Sequence, residues 1–315
     1  YRPSSSKRKG VSATTKMSSQ LPSHIQLDPH QHRNSEILAG LVGAGSYGLD
    51  FTVCGGGKTW EIFAAIKKAG LLPTYTGVKS GIAHVRHVAK QFWPEYELPA
   101  DTWSGSWRVG HEIPTGPEYC WFADEIQSAQ SFKSNQGKFM ALHGRKGPWI
   151  GATGTPPDNP LKWANILHAA GIVKRSKFYD EFAPQYGCSR VRWGNRQWVF
   201  DGNPVHSAAI RELLASNTVQ TKASELEGYP ENRIFCEPMD IDSPNQLNQF
   251  ALALAKKRPS NLGETQQVRQ AIEMLKVDGI VEMARDLMSQ GVSVFVAVNF
   301  KDSLNAIAAG IGTDL

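Results

Sequence analysis

The predicted fold of this chain is decided by the stretch Thr52-Val53-Cys54-Gly55-Gly56-Gly57-Lys58-Thr59. Before it, residues 48–53 form a short apolar run that predicts a buried strand, and after it residues 60–69 carry apolar side chains on one helical face. In a P-loop of this order, backbone N–H groups cradle phosphates, the lysine reaches the β- and γ-phosphates, and the hydroxyl holds Mg²⁺. Thr52 stands where the usual pattern has its first glycine. The stretch therefore predicts ATP and Mg²⁺ as cofactors, held by Gly55, Gly56, Gly57, Lys58 and Thr59, with Thr59 as a metal ligand.

A second acidic feature supports this interpretation. Residues 119–123 form a continuous apolar run that ends at Asp124-Glu125, as in a central parallel strand. Downstream of a phosphate loop, the first carboxylate of such a pair is placed to bind Mg²⁺, and the second to orient or deprotonate the attacking water. We therefore predict Asp124 as a metal ligand, and Glu125 as a catalytic residue together with Lys58.

Strands and helices alternate through the first half of the chain. Residues 74–78, 107–109 and 148–153 read as further strands, and residues 34–42, 82–92, 132–143 and 161–170 as helices. This alternation predicts an α/β fold with a parallel sheet and helices on both faces.

The pattern changes after residue 171. Residues 190–193 and 197–200 predict a hairpin, whose tryptophans Trp193 and Trp198 lie beside arginines; packing across the hairpin and stacking on bases both remain open. Further on, helices are predicted at 204–216, 244–257 and 265–290, and a strand at 292–298. The resulting domain prediction is a basic disordered tail (1–21), an ATP-binding domain (22–171), an inserted hairpin and linker region (172–243) and the incomplete start of a second domain (244–315).

Bulk charge does not identify a partner. The net charge is +5, but residues 1–16 carry five basic and no acidic side chains, so residues 17–315 are balanced at 29 of each sign. The four cysteines are far apart and form no CxxC pair, which argues against a zinc site or a disulfide framework. No run approaches the roughly 18 apolar residues of a membrane span, and the N-terminus lacks the apolar core of a signal peptide. A cytoplasmic location with no membrane partner is therefore expected.

In these motifs the sequence resembles the superfamily-two helicases, in particular the DEAD-like helicase proteins of phages and mobile elements. The resemblance covers about residues 22–315 and implies a RecA-like P-loop NTPase domain followed by the start of a second RecA-like domain. It also implies roles for single residues. Gln31 would read adenine, Lys79 and Ser80 would touch the nucleic-acid backbone, Gln127 and Thr153 would act in catalysis and coupling, and residues 295–300 would form motif IV.

Some positions depart from the family pattern. Gln127 replaces a histidine or aspartate, and Gly151 replaces the serine of the Ser-Ala-Thr motif. A second departure concerns motifs that are absent. The family's later arginine-bearing motifs would lie in a downstream second domain that is missing here. An arginine of that kind contributes a factor of about 10³–10⁵ in rate, so we expect this chain alone to bind ATP but to hydrolyse it very poorly.

Two functions from different classes follow. The first is an ATP-dependent helicase or translocase acting on nucleic acid, DNA rather than RNA, in a bacterial host cytoplasm if the gene is phage-encoded. The alternative is a non-motor ATP-binding module of a phage replication or defence complex. A P-loop kinase is a weaker option, because Gly151-Ala152-Thr153 and the strand at 292–298 fit it poorly.

Overall fold

The computed structural model describes residues 18–105, 113–131, 133–191, 198–229 and 262–312, with single positions at 245, 248, 249 and 252. The chain divides into two compact units, Tyr1–Glu231 and Asn232–Leu315. Most of the predicted tail, the strand at 107–109, most of the helix at 244–257, and Trp193 with the arginines Arg192 and Arg196 beside it lie outside the described residues. Within the described ranges, no helix is long and apolar enough to cross a lipid bilayer.

The first unit is built on a six-stranded sheet in the order β3-β2-β4-β5-β1-β8, in which every pair is parallel. Its strands are β1 (Tyr47–Asp50), β2 (Leu72–Gly77), β3 (Ala100–Thr102), β4 (Tyr119–Asp124), β5 (Trp149–Ala152) and β8 (Thr218–Val219). Parallel order places every carboxyl end at one edge of the sheet, and the register aligns Asp124 and Asp50 with Ala152 on β5. β8 comes from the predicted linker region and pairs with β1.

Helices cover both faces of this sheet. They are α1 (Pro29–Gly43), α2 (Lys58–Lys68), α3 (Ile82–Phe92), α4 (Asn135–His143), α5 (Ala164–Ala169) and α6 (Pro204–Leu214). Alternating β4 side chains enter two separate cores, with Phe122 packed among residues of α1–α3 and Trp121 among residues of α4–α6. The predicted parallel α/β fold with helices on both faces is therefore confirmed.

Element ends differ from the sequence prediction where local signals were overlooked. α1 begins at Pro29 rather than at residue 34, because Asp28 is its N-cap residue, proline is favoured at the first helical position, and the Gln31 side chain accepts the Asp28 N–H. The helix predicted at 161–170 starts as a 3₁₀ turn, Pro160–Trp163. The predicted hairpin is present as an antiparallel pair, β6 (Cys188–Arg190) and β7 (Trp198–Phe200), in which Arg190 faces Trp198.

The second unit contains the helices α7 (Leu262–Met274), α8 (Val277–Ser289) and α9 (Lys301–Ile311). Here the strand predicted at 292–298 is wrong: the segment is assigned to no strand, and Phe295 is 92% exposed. Val296 and Val298 pack against a small core formed with Val277, Val281 and Ile307. The alternation of valines in this segment directs Val296 and Val298 toward the helices. A strand also needs hydrogen bonds to a neighbouring backbone, and among the described residues none pairs with this segment.

Candidate nucleotide site

The glycine stretch forms a tight turn between β1 and α2. Gly55 and Gly57 have positive φ angles of 82° and 81°, which a side chain would strain. A Cβ at Gly57 would overlap the Gln31 amide, and one at Gly56 would lie 2.6 Å from Thr52 Cγ2. α2 starts at Lys58, directly after this turn, so the positive end of its dipole faces the loop. Close packing and positive φ angles therefore require glycine in this turn, which lies at the N-terminus of α2.

Lys58 and Thr59 occupy the first turn of α2. The Lys58 ammonium donates to the carbonyl oxygens of Thr52 at 2.8 Å and Val53 at 3.2 Å, so it lies over the loop that precedes it. Gly154 closes the other side, because a Cβ there would overlap the Cys54 sulfur and lie 3.6 Å from Lys58 Nζ. The sequence did not predict a role for Gly154, because its contact with the turn depends on the fold of the chain.

Gln31 lies against the glycine turn. Its side-chain oxygen accepts the Asp28 N–H at 3.0 Å, and its amide nitrogen is 3.5 Å from the carbonyl oxygen of Gly56. His30 contacts the same carbonyl through Nε2 at 2.9 Å. The first turn of α1 is thus tied to the glycine turn, and the contact of Gln31 with adenine stays a prediction.

Both oxygens of the Asp124 carboxylate are held by hydrogen bonds. Oδ2 accepts the Tyr75 hydroxyl at 2.9 Å, and Oδ1 accepts the Glu125 N–H at 3.0 Å. Burial raises the pKa of Asp124, and the hydrogen bond from Tyr75 opposes that rise, as does the positive charge of Lys58. The two hydrogen bonds fix the orientation of the carboxylate, and its role as a metal ligand stays a prediction.

Glu125 adopts a left-handed backbone, with φ 51° and ψ 54°. It is the one non-glycine residue with positive φ within the described ranges. Gln127, in the following 3₁₀ turn, donates a hydrogen bond from its side-chain amide to the Glu125 carboxylate. Strain of this kind costs about 1–3 kcal/mol and is concentrated at functional sites.

Thr153 connects the ends of two strands. Its N–H donates to the carbonyl oxygen of Asp50 at 3.0 Å, and its hydroxyl accepts the N–H of Thr155 at 3.0 Å. The residue is fully buried, and the next residue, Gly154, packs against Cys54 of the glycine turn. The role of Thr153 in catalysis and coupling stays a prediction.

A buried polar cluster next to the glycine turn was not predicted. The Asn34 amide donates to Glu61 Oε2 at 3.0 Å, to Thr221 Oγ1 at 3.0 Å and to Thr52 Oγ1 at 3.3 Å. Burial, reinforced by the neighbouring Asp50 carboxyl, raises the pKa of Glu61 well above its usual range. Asn34 lies four residues before the buried Leu38 on α1, and a polar residue on that apolar face was the signal available in the sequence.

A segment that follows β8 also reaches the loop. The Tyr229 hydroxyl donates to the carbonyl oxygen of Cys54 at 2.7 Å, and Leu226 lies next to Gly56. The N–H of Val53 donates to the carbonyl oxygen of Thr221 at 3.0 Å. No sequence pattern linked residues this far apart, because the pairing of β8 with β1 brings them together.

The predicted nucleic-acid residues lie at the same edge of the sheet. Lys79 and Ser80 are exposed and form a 3₁₀ turn, Lys79–Gly81, directly after β2. The parallel sheet therefore brings the carboxyl ends of β1, β2, β4 and β5 to one edge, where most of the predicted site residues lie.

No family model matches this sequence, and no curated protein is significantly similar to it. Solved structures do share its architecture. The Sulfolobus solfataricus SWI2/SNF2 ATPase core in complex with dsDNA is 13% identical, with a TM-score of 0.52 over 90% of this chain and 69% of that chain. A structure of the SWI2/SNF2 ATPase core domain from the same organism is 14% identical, with a TM-score of 0.50 over 94% of this chain and 70% of that chain. At these identities the likeness concerns the fold alone: this chain has the α/β RecA-like fold of SWI2/SNF2 ATPase cores.

Proposed function

We propose that this chain is the ATP-binding part of a nucleic-acid translocase or helicase that acts on DNA rather than RNA. One observation carries the proposal: the glycine turn, the Asp124-Glu125 pair and the exposed Lys79-Ser80 turn all lie at one edge of a parallel sheet. A nucleotide site and a polymer contact at the same edge allow hydrolysis to be coupled to movement. The solved structure with dsDNA supports DNA as the polymer.

The site residues divide the chemistry of hydrolysis between them. In the proposed complex the N–H groups of the glycine turn and Lys58 hold the phosphates, while Thr59 and Asp124 hold Mg²⁺. Glu125 orients and deprotonates the attacking water, and Gln31 contacts the adenine. Thr153 links the ends of β1 and β5 and so transmits changes at the bound nucleotide to these two strands. The second unit, residues 232–315, is proposed to begin a second RecA-like domain.

The proposal is tested with ATP hydrolysis measured alone and with duplex DNA, single-stranded DNA and RNA. We expect hydrolysis by the chain to be very slow without nucleic acid, and its rate to rise most with DNA. Lys58→Ala is expected to lose ATP binding, and Glu125→Gln to keep binding while turnover falls by about 10²–10⁴-fold, the usual contribution of a general base. Lys177→Ala, which removes an exposed lysine paired with Glu181, is the control and should behave as the unaltered chain.

The same assay distinguishes the alternative function. ATP binding that depends on Lys58, with no turnover response to any nucleic acid, would indicate a non-motor ATP-binding module. Failure of the unaltered chain to bind ATP-Mg²⁺ would refute both functions.

A further inference from the structure

Tyr75 lies at the centre of β2 with its ring fully buried. It pairs in register with Phe122 on β4, and the two rings meet edge to face at 5.2 Å. Asp124 is two residues beyond Phe122 and so points to the same face of the sheet. The Tyr75 side chain therefore reaches diagonally along β4, and its hydroxyl donates to Asp124 Oδ2 at 2.9 Å.

The other side of this hydroxyl contacts the turn that carries Lys79 and Ser80. A Cβ at Gly77 would overlap the Tyr75 oxygen, and a Cβ at Gly81 would lie 3.2 Å from it. Gly77 is the last residue of β2 and Gly81 the last residue of the turn, and neither has a side chain to separate the hydroxyl from its backbone. One buried oxygen is thus in contact with the exposed turn on one side and with the proposed metal ligand on the other.

We propose that Tyr75 is a positioning residue that couples nucleic-acid contact at the Lys79-Ser80 turn to metal binding at Asp124. The inference rests on the proposed function. Oδ1 accepts the Glu125 N–H, and the Tyr75 hydroxyl at Oδ2 fixes the rotation of the carboxylate about its Cβ–Cγ bond. A polymer that presses on the turn shifts Gly77 and Gly81 against the hydroxyl, and the carboxylate reorients with it.

The test compares Tyr75→Phe with Tyr96→Phe in the full chain. Tyr96 is a matched control, since its half-buried hydroxyl donates to the carbonyl oxygen of Pro73 at 2.8 Å, at the opposite end of the same strand. Binding of Mn²⁺ to the protein–ATP complex is measured by electron paramagnetic resonance, and ATP hydrolysis is titrated with Mg²⁺ in the presence and absence of duplex DNA.

For Tyr75→Phe we expect the Mn²⁺ affinity to fall by about 10–100-fold, the usual effect of removing a hydrogen bond that orients a metal ligand. Stimulation by DNA should fall as well, while the affinity for ATP without metal stays the same. Tyr96→Phe should change none of these. Unaltered Mn²⁺ affinity and DNA stimulation in Tyr75→Phe would overturn the inference and leave the proposed function intact. Absence of ATP-Mg²⁺ binding by the unaltered chain would instead overturn the proposed function, and the inference with it.

A second variant changes the contact between the turn and the Tyr75 hydroxyl. Gly81→Ala places a methyl group against the Tyr75 oxygen, and we expect it to alter DNA stimulation. If coupling passes through the hydroxyl, Gly81→Ala has no further effect in a Tyr75→Phe background, so the two changes are not additive. Additive effects would show that the turn acts by another route and would overturn the coupling. Should Tyr75→Phe fail to fold, Gly81→Ala alone must still change DNA stimulation for the inference to stand.

Discussion

The side-chain amide of Gln127 donates a hydrogen bond to the carboxylate of Glu125, a residue whose own backbone is held at φ 51° and ψ 54°. The family resemblance left the role of Gln127 in doubt, because histidine or aspartate is usual there. The contact offers a role that does not depend on titration: the amide orients the carboxylate that is proposed to activate water.

Gln127→Ala is therefore expected to slow hydrolysis without weakening ATP binding. The loss should be roughly tenfold, smaller than the loss of the general base itself, because the carboxylate remains but is no longer aimed. Single-turnover hydrolysis and ATP binding measure the two effects separately. Gln130→Ala, at the end of the same 3₁₀ turn, is the control. A Gln127→Ala chain with weaker ATP binding and unchanged turnover would contradict the orienting role.

Gly57→Ala should abolish ATP binding. The added methyl group meets a strained φ of 81° and would overlap the Gln31 amide, so the loop and the first turn of α1 must separate. Gly40→Ala is the matched control in α1, where a Cβ meets no atom within 4 Å. There alanine is expected to raise the free energy of unfolding by about 0.5–1 kcal/mol. ATP titration and urea denaturation of both variants check these outcomes.

The stability of the first unit should fall in acid because of His143. The ring stacks on Phe139 at 4.6 Å and lies edge to face on Trp121 at 4.9 Å, and burial lowers its pKa to about 4. Since its unfolded pKa is about 6.5, the unfolded chain binds the proton first, and stability is lost as the pH falls from about 6.5 through about 4.

His143→Phe should remove this part of the pH dependence, on the order of 3 kcal/mol at its limit, because phenylalanine keeps the ring contacts and binds no proton. Urea denaturation at pH 7.5 and at pH 5 measures the change. His84→Phe, at an exposed position of α3, is the control and should retain the acid loss. Equal acid sensitivity in His143→Phe and the unaltered chain would refute the assignment.

Asn34→Leu should destabilise the first unit although it adds an apolar side chain to an apolar face. It removes the donor that Glu61, Thr221 and Thr52 share, and the loss of a hydrogen bond at a buried polar group costs about 1–3 kcal/mol. Ile37→Asn on the same helix should cost less than about 0.5 kcal/mol, because Ile37 is 46% exposed. Denaturation midpoints of the two variants provide the measurement, and a more stable Asn34→Leu chain would contradict the bonding of this cluster.

The sequence predicted the parts of this protein that depend on local order. A glycine turn between a strand and a helix, an apolar strand ending in two carboxylates, and alternating elements led to the parallel sheet and to Lys58, Asp124 and Glu125 at its edge. Such patterns are readable because strand, turn and helix preferences act over a few neighbouring residues. The strand at 292–298 failed for the same reason, since its valine alternation describes one face of a strand and not the backbone partner that a strand requires.

Tertiary structure alone decided which distant residues share the site. Asn34 and Thr221, Tyr229 and Cys54, and Tyr75 and Asp124 are brought together by the order of strands in the sheet, not by their spacing in the chain. The left-handed backbone of Glu125 belongs to the same class, because no residue type at that position requires it and only the surrounding hydrogen bonds and packing hold it. The sequence thus determined the chemical groups at the glycine turn, and the packing of the sheet determined which groups orient them.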